Sequence, residues 1–459
     1  MASGRLRVAV IGAGASGLCS AHHILSRSMN FEPPVVFEMT GQVGGTWVYT
    51  DEAGKAGNTH SSMYRDLKTN LPKEIMEFPD FSFDPSLPSF IHHSHVLKYL
   101  EDYTDEFAIR PHIRFNTPVV SVYPVSDDQE RLSWRVVSRT QGEEVLEKFD
   151  AVMVCVGHYS HPYIPDIDGI KDFQGQVLHS HYYRYPEVFS SRSIVLLGSG
   201  PSGVDIAIEL SAHAKRVILS HRGPPLNWSP PNNVSMAPPV VSATRNALVC
   251  EDGRKILADT LIFCTGYRYN YPFFLPRRDV DDITNGEIPE RRDVLDWGFL
   301  EGEDMKRPDL GEGHMPPLYK HIIHARYPSL SFIGACKIVV PFPLVHCQAQ
   351  FFLLVLEGKC PLPPVEQMLS ESRKEYIDHR DFGLPLKYLH RLGLNQWEYN
   401  QWLADTAGFE PLAPVLGKLY EATREFRNAN PLVYRELNFK VLNREKFEVD
   451  TEGMKEANE

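Results

Sequence analysis

The chain has 459 residues, 42% of them hydrophobic, and 59 acidic against 47 basic side chains give a formal net charge of −12. That length supports a sizeable core split between two domains. The acidic balance argues against a nucleic-acid partner, whose phosphates need a basic face, and no stretch reaches the roughly 18–20 uninterrupted apolar residues of a membrane helix.

The first apolar run, Leu6–Ile11, is too short for a signal peptide and ends in glycines. The seven cysteines (Cys19, Cys155, Cys250, Cys264, Cys336, Cys347 and Cys360) show neither metal nor redox spacing. Reduced, mostly buried thiols in a cytoplasmic protein are expected.

Leu6–Ile11 is valine-rich and reads as a buried parallel strand. It runs into Gly12-Ala13-Gly14-Ala15-Ser16-Gly17, after which Ala15, Leu18, His22 and Leu25 fall at helical spacing. A second strand, Val35-Val36-Phe37, ends in Glu38. This is the G-x-G-x-x-G dinucleotide fingerprint in its strand–helix context. Gly12 makes the tight turn, Gly14 lets the backbone approach a pyrophosphate, and Gly17 lets helix pack on strand. Ala15 and Ser16 open the helix, whose N-terminus faces the phosphates. Glu38 is placed to accept a hydrogen bond from a ribose 2′-hydroxyl.

The same unit recurs. Ser193–Leu197 leads into Gly198-Ser199-Gly200-Pro201-Ser202-Gly203, with Val204, Ala207, Ile208 and Ser211 predicted on one helix face. Pro201 suits a first helical turn. The following strand, Val217-Ile218-Leu219, runs into Ser220 and Arg222 where the first copy has an acid. An arginine accommodates a 2′-phosphate, so the first copy suits FAD and the second NADPH. Proline-containing hinges at His161–Pro165 and near Tyr267–Pro276 bracket the second copy. The expected architecture is α/β, with two Rossmann-type domains. The NADPH-binding domain (163–267) is inserted into an FAD-binding domain (1–162 and 268–459). Pro276–Pro317 reads as surface loop, helices are predicted around Cys347–Leu356 and Pro411–Asn428, and Lys446–Glu459 reads as a frayed end.

Four further motifs accompany the fingerprints: Gly41-Gln42-Val43-Gly44-Gly45-Thr46-Trp47, the segment Tyr64–Glu74, Phe173-x-Gly175-x-x-x-His179-x-x-x-Tyr183, and Phe263-Cys264-Thr265-Gly266-Tyr267. With these the chain resembles the flavin-containing monooxygenase family, particularly its shorter, non-membrane, plant S-oxygenase-like members. The resemblance runs from about residue 5 to about residue 350 and is weaker beyond.

The resemblance implies that Gly44, Gly45, Thr46 and Trp47 lie along FAD, although Trp47 also reads as ordinary core. It maps the flavin-side asparagine to Asn70, beside Thr69. A carboxamide has two donors and an acceptor and does not titrate, but the same residue closes a Thr-Asn-x-Pro turn. Thr265, Gly266 and Tyr267 mark the end of the inserted domain, with Cys264 in place of the family's alanine. Ser331–Gly334 resembles the strand that closes the FAD site, Gln348 falls where the family often places a flavin-contacting glutamine, and His346 stands where many relatives have a carboxylate. Tyr183 followed by Arg184, rather than tryptophan, favours the heteroatom-oxygenating branch over Baeyer–Villiger relatives.

The implied reaction uses molecular oxygen and NADPH to form a flavin C4a-hydroperoxide, which passes one oxygen atom to a thioether sulfur or an amine nitrogen, giving an S-oxide or N-oxide. No metal is expected: His179 and His181 lack an obvious third ligand, and His92, His93 and His95 are expected to cap or precede the helix through Leu97 and Leu100. An uncoupled NADPH oxidase would share every cofactor motif, and a scaffold without turnover would not need Asn70. A homodimer is expected on frequency alone.

Overall fold

The computed structural model describes residues 4–51, 61–126, 131–223, 229–274, 315–384, 388–451 and 453. Up to residue 314, the Pro276–Pro317 segment lies outside them.

The first apolar run forms the strand Val8–Ile11, buried along its whole length. It pairs in parallel with Val35–Phe37 on one side and Ala151–Val154 on the other, near the centre of a seven-stranded sheet. Alternation explains why this strand is apolar throughout. Val8 and Val10 enter a core with Leu18, Ala21 and Ile24 of the helix Ala15–Leu25. Ala9 and Ile11 enter another with Val122, Trp134 and Phe149. Those last three belong to an antiparallel sheet of Val119–Ser126, Leu132–Thr140 and Glu143–Phe149, which covers the opposite face. Burying each large apolar side chain contributes roughly 1.5–3 kcal/mol.

The strand Ser193–Leu197 repeats this logic in a five-stranded parallel sheet, between Arg216–Ser220 and Thr260–Phe263. Ile194 and Leu196 face one core; Val195 and Leu197 face another. The fold is α/β with two dinucleotide-binding units, the second inserted into the first. The chain enters through His161–Pro162 and leaves through Tyr267–Arg268, and these two short strands pair antiparallel with each other.

Three expectations change. In the helix Pro201–Ser211 the buried face is Gly203, Ile206, Ala207 and Leu210, offset from the predicted Val204, Ala207, Ile208 and Ser211. Gly203 must face its strand, which fixes the i, i+3, i+4, i+7 stripe. The first helix buries Gly17, Cys19, Ser20 and His23 as well as Leu18, because the helix Pro341–Leu356 packs on its outer side. The C-terminal end is not frayed from Lys446: Phe447–Asp450 pairs with Asn438–Val441, and Phe439, Phe447 and Val449 pack on the main core. Among the described residues no helix is long and apolar enough to cross a membrane.

Candidate active site at two glycine turns

The two turns share one backbone frame. The Gly12 amide donates to the Phe37 carbonyl and the Gly198 amide to the Ser220 carbonyl, each at 2.8 Å. Cys155 donates to Ile11 and Cys264 to Leu197, each at 2.9 Å. Gly12 and Gly198 adopt φ of 104° and 117°, where a side chain is strained. A Cβ on Gly17 would lie 1.8 Å from the Gly12 oxygen, and one on Gly203 would lie 2.0 Å from the Gly198 oxygen. Behind the turns stand Cys155 and Cys264, their thiols held protonated because burial pushes each up to about 12.

Both helices start without a side-chain cap, at Gly14 and Gly200. Their first N–H groups therefore face outward, as an anion requires. A Cβ on Gly200 would meet nothing within 4 Å. The neighbour of Gly14 is Gly45, whose own amide follows Gly44, and the Gly44 amide donates to the Ala13 carbonyl at 3.0 Å. The glycine pair is thus docked on the first fingerprint. Ser16 lies against Gly334, whose Cβ would come within 2.5 Å of the Ser16 hydroxyl. Thr46 accepts a hydrogen bond from the Ser61 hydroxyl through its carbonyl at 2.8 Å, and Trp47 is half-buried at the edge of the core. The residues present fit FAD at the first turn and a nicotinamide dinucleotide at the second.

The turns differ at one side chain. Glu38 is buried; its carboxylate accepts from the Ala13 amide and from the amide and hydroxyl of Thr40, each at 2.8 Å. That occupies three of about four acceptor positions. By the matching backbone bonds, its counterpart in the second unit is His221. The sequence reading placed the strand end at Leu219, but the strand continues to Ser220. Ser220, expected beside the cofactor, therefore has its side chain turned inward. It is fully buried, donating to the Pro238 carbonyl at 2.8 Å and accepting from the Val240 amide at 3.0 Å. Arg222 is exposed beside it, and the buried Nδ1 of His221 makes no hydrogen bond among the described residues.

Two further residues brace the site. The amide of Thr69 donates to Ile91 O at 2.8 Å and its hydroxyl accepts from Ile91 N at 3.1 Å, so this buried side chain shapes the loop. Gln348 is fully buried. Its oxygen accepts from the Gly334 amide at 2.8 Å and its nitrogen donates to the Tyr399 hydroxyl at 3.0 Å, so it orders the end of the closing strand from behind. Asn70, by contrast, is half-buried, and its carboxamide bonds to none of the described residues.

The segment leading to Asn70 is stitched to both units. Ser61 is tied to Thr46, and the Arg65 amide donates to the Arg184 carbonyl at 2.9 Å. The Tyr64 ring packs into the second unit's core against Tyr183. Sequence reasoning missed the role of Arg184. Its buried guanidinium donates to the carbonyls of Thr50, His181, Tyr183 and Ser61. Tyr183 donates to Glu209 at 2.8 Å, and burial raises that carboxyl to about 7. The Thr265 hydroxyl donates to the Tyr163 carbonyl, the Gly266 carbonyl accepts from Tyr163 N at 2.8 Å, and the Tyr267 ring stands edge-on to His179. These three residues lock the two linkers together.

Histidines resolve into hydrogen bonds. His179 Nδ1 accepts from the His181 amide at 3.0 Å and its Nε2 faces the Gly266 oxygen at 3.1 Å. His92 caps the helix His93–Glu106. Among the described residues, one group has metal-ligand geometry: Cys19, His23 and His346, within 4.8 Å of one another. Sequence spacing hides it because His346 comes from a distant helix. Arg27 Nη1 lies 3.4 Å from His23 Nδ1, and His23 Nε2 faces His346 Nδ1 at 3.2 Å. Burial holds both imidazoles neutral, His346 down to about 4. His346 completes this chain. A groove of about 990 Å³ lined by Arg192, Lys215, Arg216 and Arg245 lies where the second sheet's strands begin. The glycine turn is at their other ends, where such sheets bind ligands.

Residues 5–228 match the profile of flavin-binding monooxygenase-like proteins. The flavin-containing monooxygenase FMO GS-OX-like 4 of Arabidopsis thaliana is 34% identical over 94% of this chain and 93% of its own length. FMO GS-OX4 of the same plant is 36% identical over 88% of this chain and 84% of its own. Among solved structures, S-allyl-L-cysteine S-oxygenase from Allium sativum superimposes with a TM-score of 0.79 at 32% identity, covering 94% of this chain and 95% of the other. Tmm from Pelagibacter sp. strain HTCC7211 gives 0.75 at 26%, covering 94% and 93%. Cyclohexanone monooxygenase shares the fold, with a TM-score of 0.56 at 16% identity. Two glycine turns fit for FAD and NADPH, with relatives alike over nearly the whole chain, make this protein a member of the flavin-containing monooxygenase family, in its S-oxygenase-like branch.

Proposed function

We propose that this NADPH-dependent flavin monooxygenase oxygenates the sulfur of a small thioether, with an amine nitrogen as the alternative acceptor. The observation that carries the reading is Asn70: a half-buried carboxamide without a partner among the described residues, on the segment stitched to both units. Such an amide can hold a reacting group and the neighbouring cofactor without giving or taking a proton. Likeness to an S-allyl-L-cysteine S-oxygenase supports sulfur over nitrogen.

FAD and NADPH, when bound, supply the electrons and the oxygen activation. In the overall reaction one oxygen atom bonds to the sulfur lone pair. The other leaves as water, with two electrons from NADPH and one further proton. We assign Gly12, Gly14, Ala15, Ser16, Gly17 and Gly44–Trp47 to holding FAD, with Glu38 on its ribose. Gly198–Gly203 would hold the NADPH pyrophosphate and Arg222 its 2′-phosphate, with 163–267 as the NADPH unit and 1–162 with 268–459 as the FAD unit. Seven unpaired cysteines accord with a reducing, cytoplasmic setting.

The test is to supply the FAD-loaded protein with NADPH, oxygen and, separately, a thioether, a tertiary amine and a ketone. Sulfoxide formed in step with NADPH consumption is expected. Asn70→Ala should keep FAD and measurable NADPH oxidation but lose the sulfoxide; undiminished sulfoxide would remove Asn70 from the mechanism. Product from the ketone alone would establish Baeyer–Villiger chemistry, and hydrogen peroxide alone an oxidase.

A further inference from the structure

Arg435 lies in the turn Tyr434–Glu436, far along the chain from either fingerprint. Its Nε donates to the Thr69 carbonyl at 3.0 Å, while Nη1 and Nη2 grip Asp205 Oδ1 and Oδ2 at 3.2 and 2.7 Å. The pair is shielded, with side-chain exposures of 17% and 19%. The guanidinium also lies over the Tyr434 ring. Such a fork is a directional bond, which a point charge does not reproduce.

What the fork joins gives it meaning. Asp205 stands in the helix Pro201–Ser211, which begins at the second glycine turn. The Thr69 carbonyl belongs to the peptide plane that carries the Asn70 N–H, so holding that oxygen orients the backbone of Asn70. Arg435 itself is rooted on the first unit. Ser89 N donates to Asn438 Oδ1 at 3.0 Å, Phe439 N donates to Ser89 Oγ at 2.8 Å, and Tyr434 packs edge-on against Phe90. One side chain thus ties the NADPH-side helix to the Asn70 loop from a fixed base.

We propose that Arg435 is a positioning residue that latches the NADPH unit to the Asn70 loop, keeping the oxidised nicotinamide cofactor in place until oxygen transfer is complete. This rests on the function proposed above. Without the latch, NADPH and a proton still reduce oxygen, but to hydrogen peroxide, with NADP⁺ as the only other product.

The test compares Arg435→Gln, Arg435→Lys, Asp205→Asn and the double variant R435Q/D205N with the native FAD-loaded protein. Three quantities are read: the NADP⁺ dissociation rate from the reduced protein under anaerobic conditions, hydrogen peroxide per NADPH, and FAD content. Arg435→Gln should retain FAD and release NADP⁺ about tenfold faster or more, with hydrogen peroxide per NADPH rising toward its limit of one. Arg435→Lys should fall between it and the native protein, which a purely structural role would not produce. Asp205→Asn should match Arg435→Gln, and the double variant should be no worse than either single change, as for residues acting as one unit. Unchanged NADP⁺ release and coupling in an FAD-loaded Arg435→Gln would overturn the latch, as would additive effects. Should Arg435→Gln fail to fold, Asp205→Asn decides by the same readouts. Because NADP⁺ release needs no oxygenated product, a native protein that oxygenates nothing sinks the functional proposal while leaving the latch to stand or fall separately.

Discussion

The two glycine turns share their framing backbone bonds but not the residue just past the neighbouring strand. Both place a glycine in left-handed backbone, a second at the open helix start, a third against a carbonyl oxygen, and a cysteine behind. Beyond that common frame the first turn meets Glu38 and the second His221, with Arg222 next to it. Helix-on-strand packing sets the frame and leaves no freedom in it. On the proposed assignment, the choice of dinucleotide falls to one or two side chains that this frame does not dictate. A carboxylate beside a ribose repels a 2′-phosphate, and an imidazole with a guanidinium does not.

Breaking the frame should have the largest effect. Gly17→Ala and Gly203→Ala each drive a methyl group into a carbonyl oxygen, at 1.8 and 2.0 Å. A loss on the order of 3 kcal/mol or more is expected for each. Gly17→Ala should abolish FAD loading, and Gly203→Ala should retain FAD but lose NADPH binding. Gly200→Ala is the control, because its Cβ meets nothing within 4 Å. It should melt like the native protein yet bind NADPH poorly, and native affinity would mean that no pyrophosphate approaches there.

Exchanging the side chains sharpens the contrast with a smaller effect. Arg222→Ala should weaken NADPH by about ten- to a hundredfold and leave NADH unchanged. His221→Glu should shift the preference the same way. Steady-state KM values for the two coenzymes decide, and an unaltered NADPH-to-NADH ratio in both variants would place the phosphate elsewhere.

The smallest effect concerns how the second unit is held. Burial raises Glu209 from 4.5 to about 7 and lowers His179 from 6.5 to about 4. Between those limits the folded Glu209 holds a proton that the unfolded chain releases, so its contribution is full below pH 4.5 and is lost as pH rises through about 7. His179 works oppositely: its contribution is full above pH 6.5 and is lost as pH falls through about 4. Glu209→Gln keeps an acceptor for Tyr183 and removes the first of these trends. Its melting temperature should exceed the native value by more at pH 8 than at pH 5. Equal shifts at both would show that Glu209 does not titrate in this window.

The sequence by itself determined the two strand–glycine–helix units, their hinges and their likeness to flavin-containing monooxygenases. Steric demands of close packing leave glycine as the residue that fits there, and alternation along a doubly covered strand leaves an unbroken apolar run. Only the tertiary structure decided what depends on distant segments meeting. A one-residue extension of the strand to Ser220 turned that serine inward and made His221 the counterpart of Glu38. Gln348 and Thr69 became braces because Tyr399, Gly334 and Ile91 claim their polar atoms. Arg435 reaches Thr69 and Asp205 across 366 and 230 residues of chain. A side chain's partners are set by packing in three dimensions, which neither residue type nor spacing encodes locally.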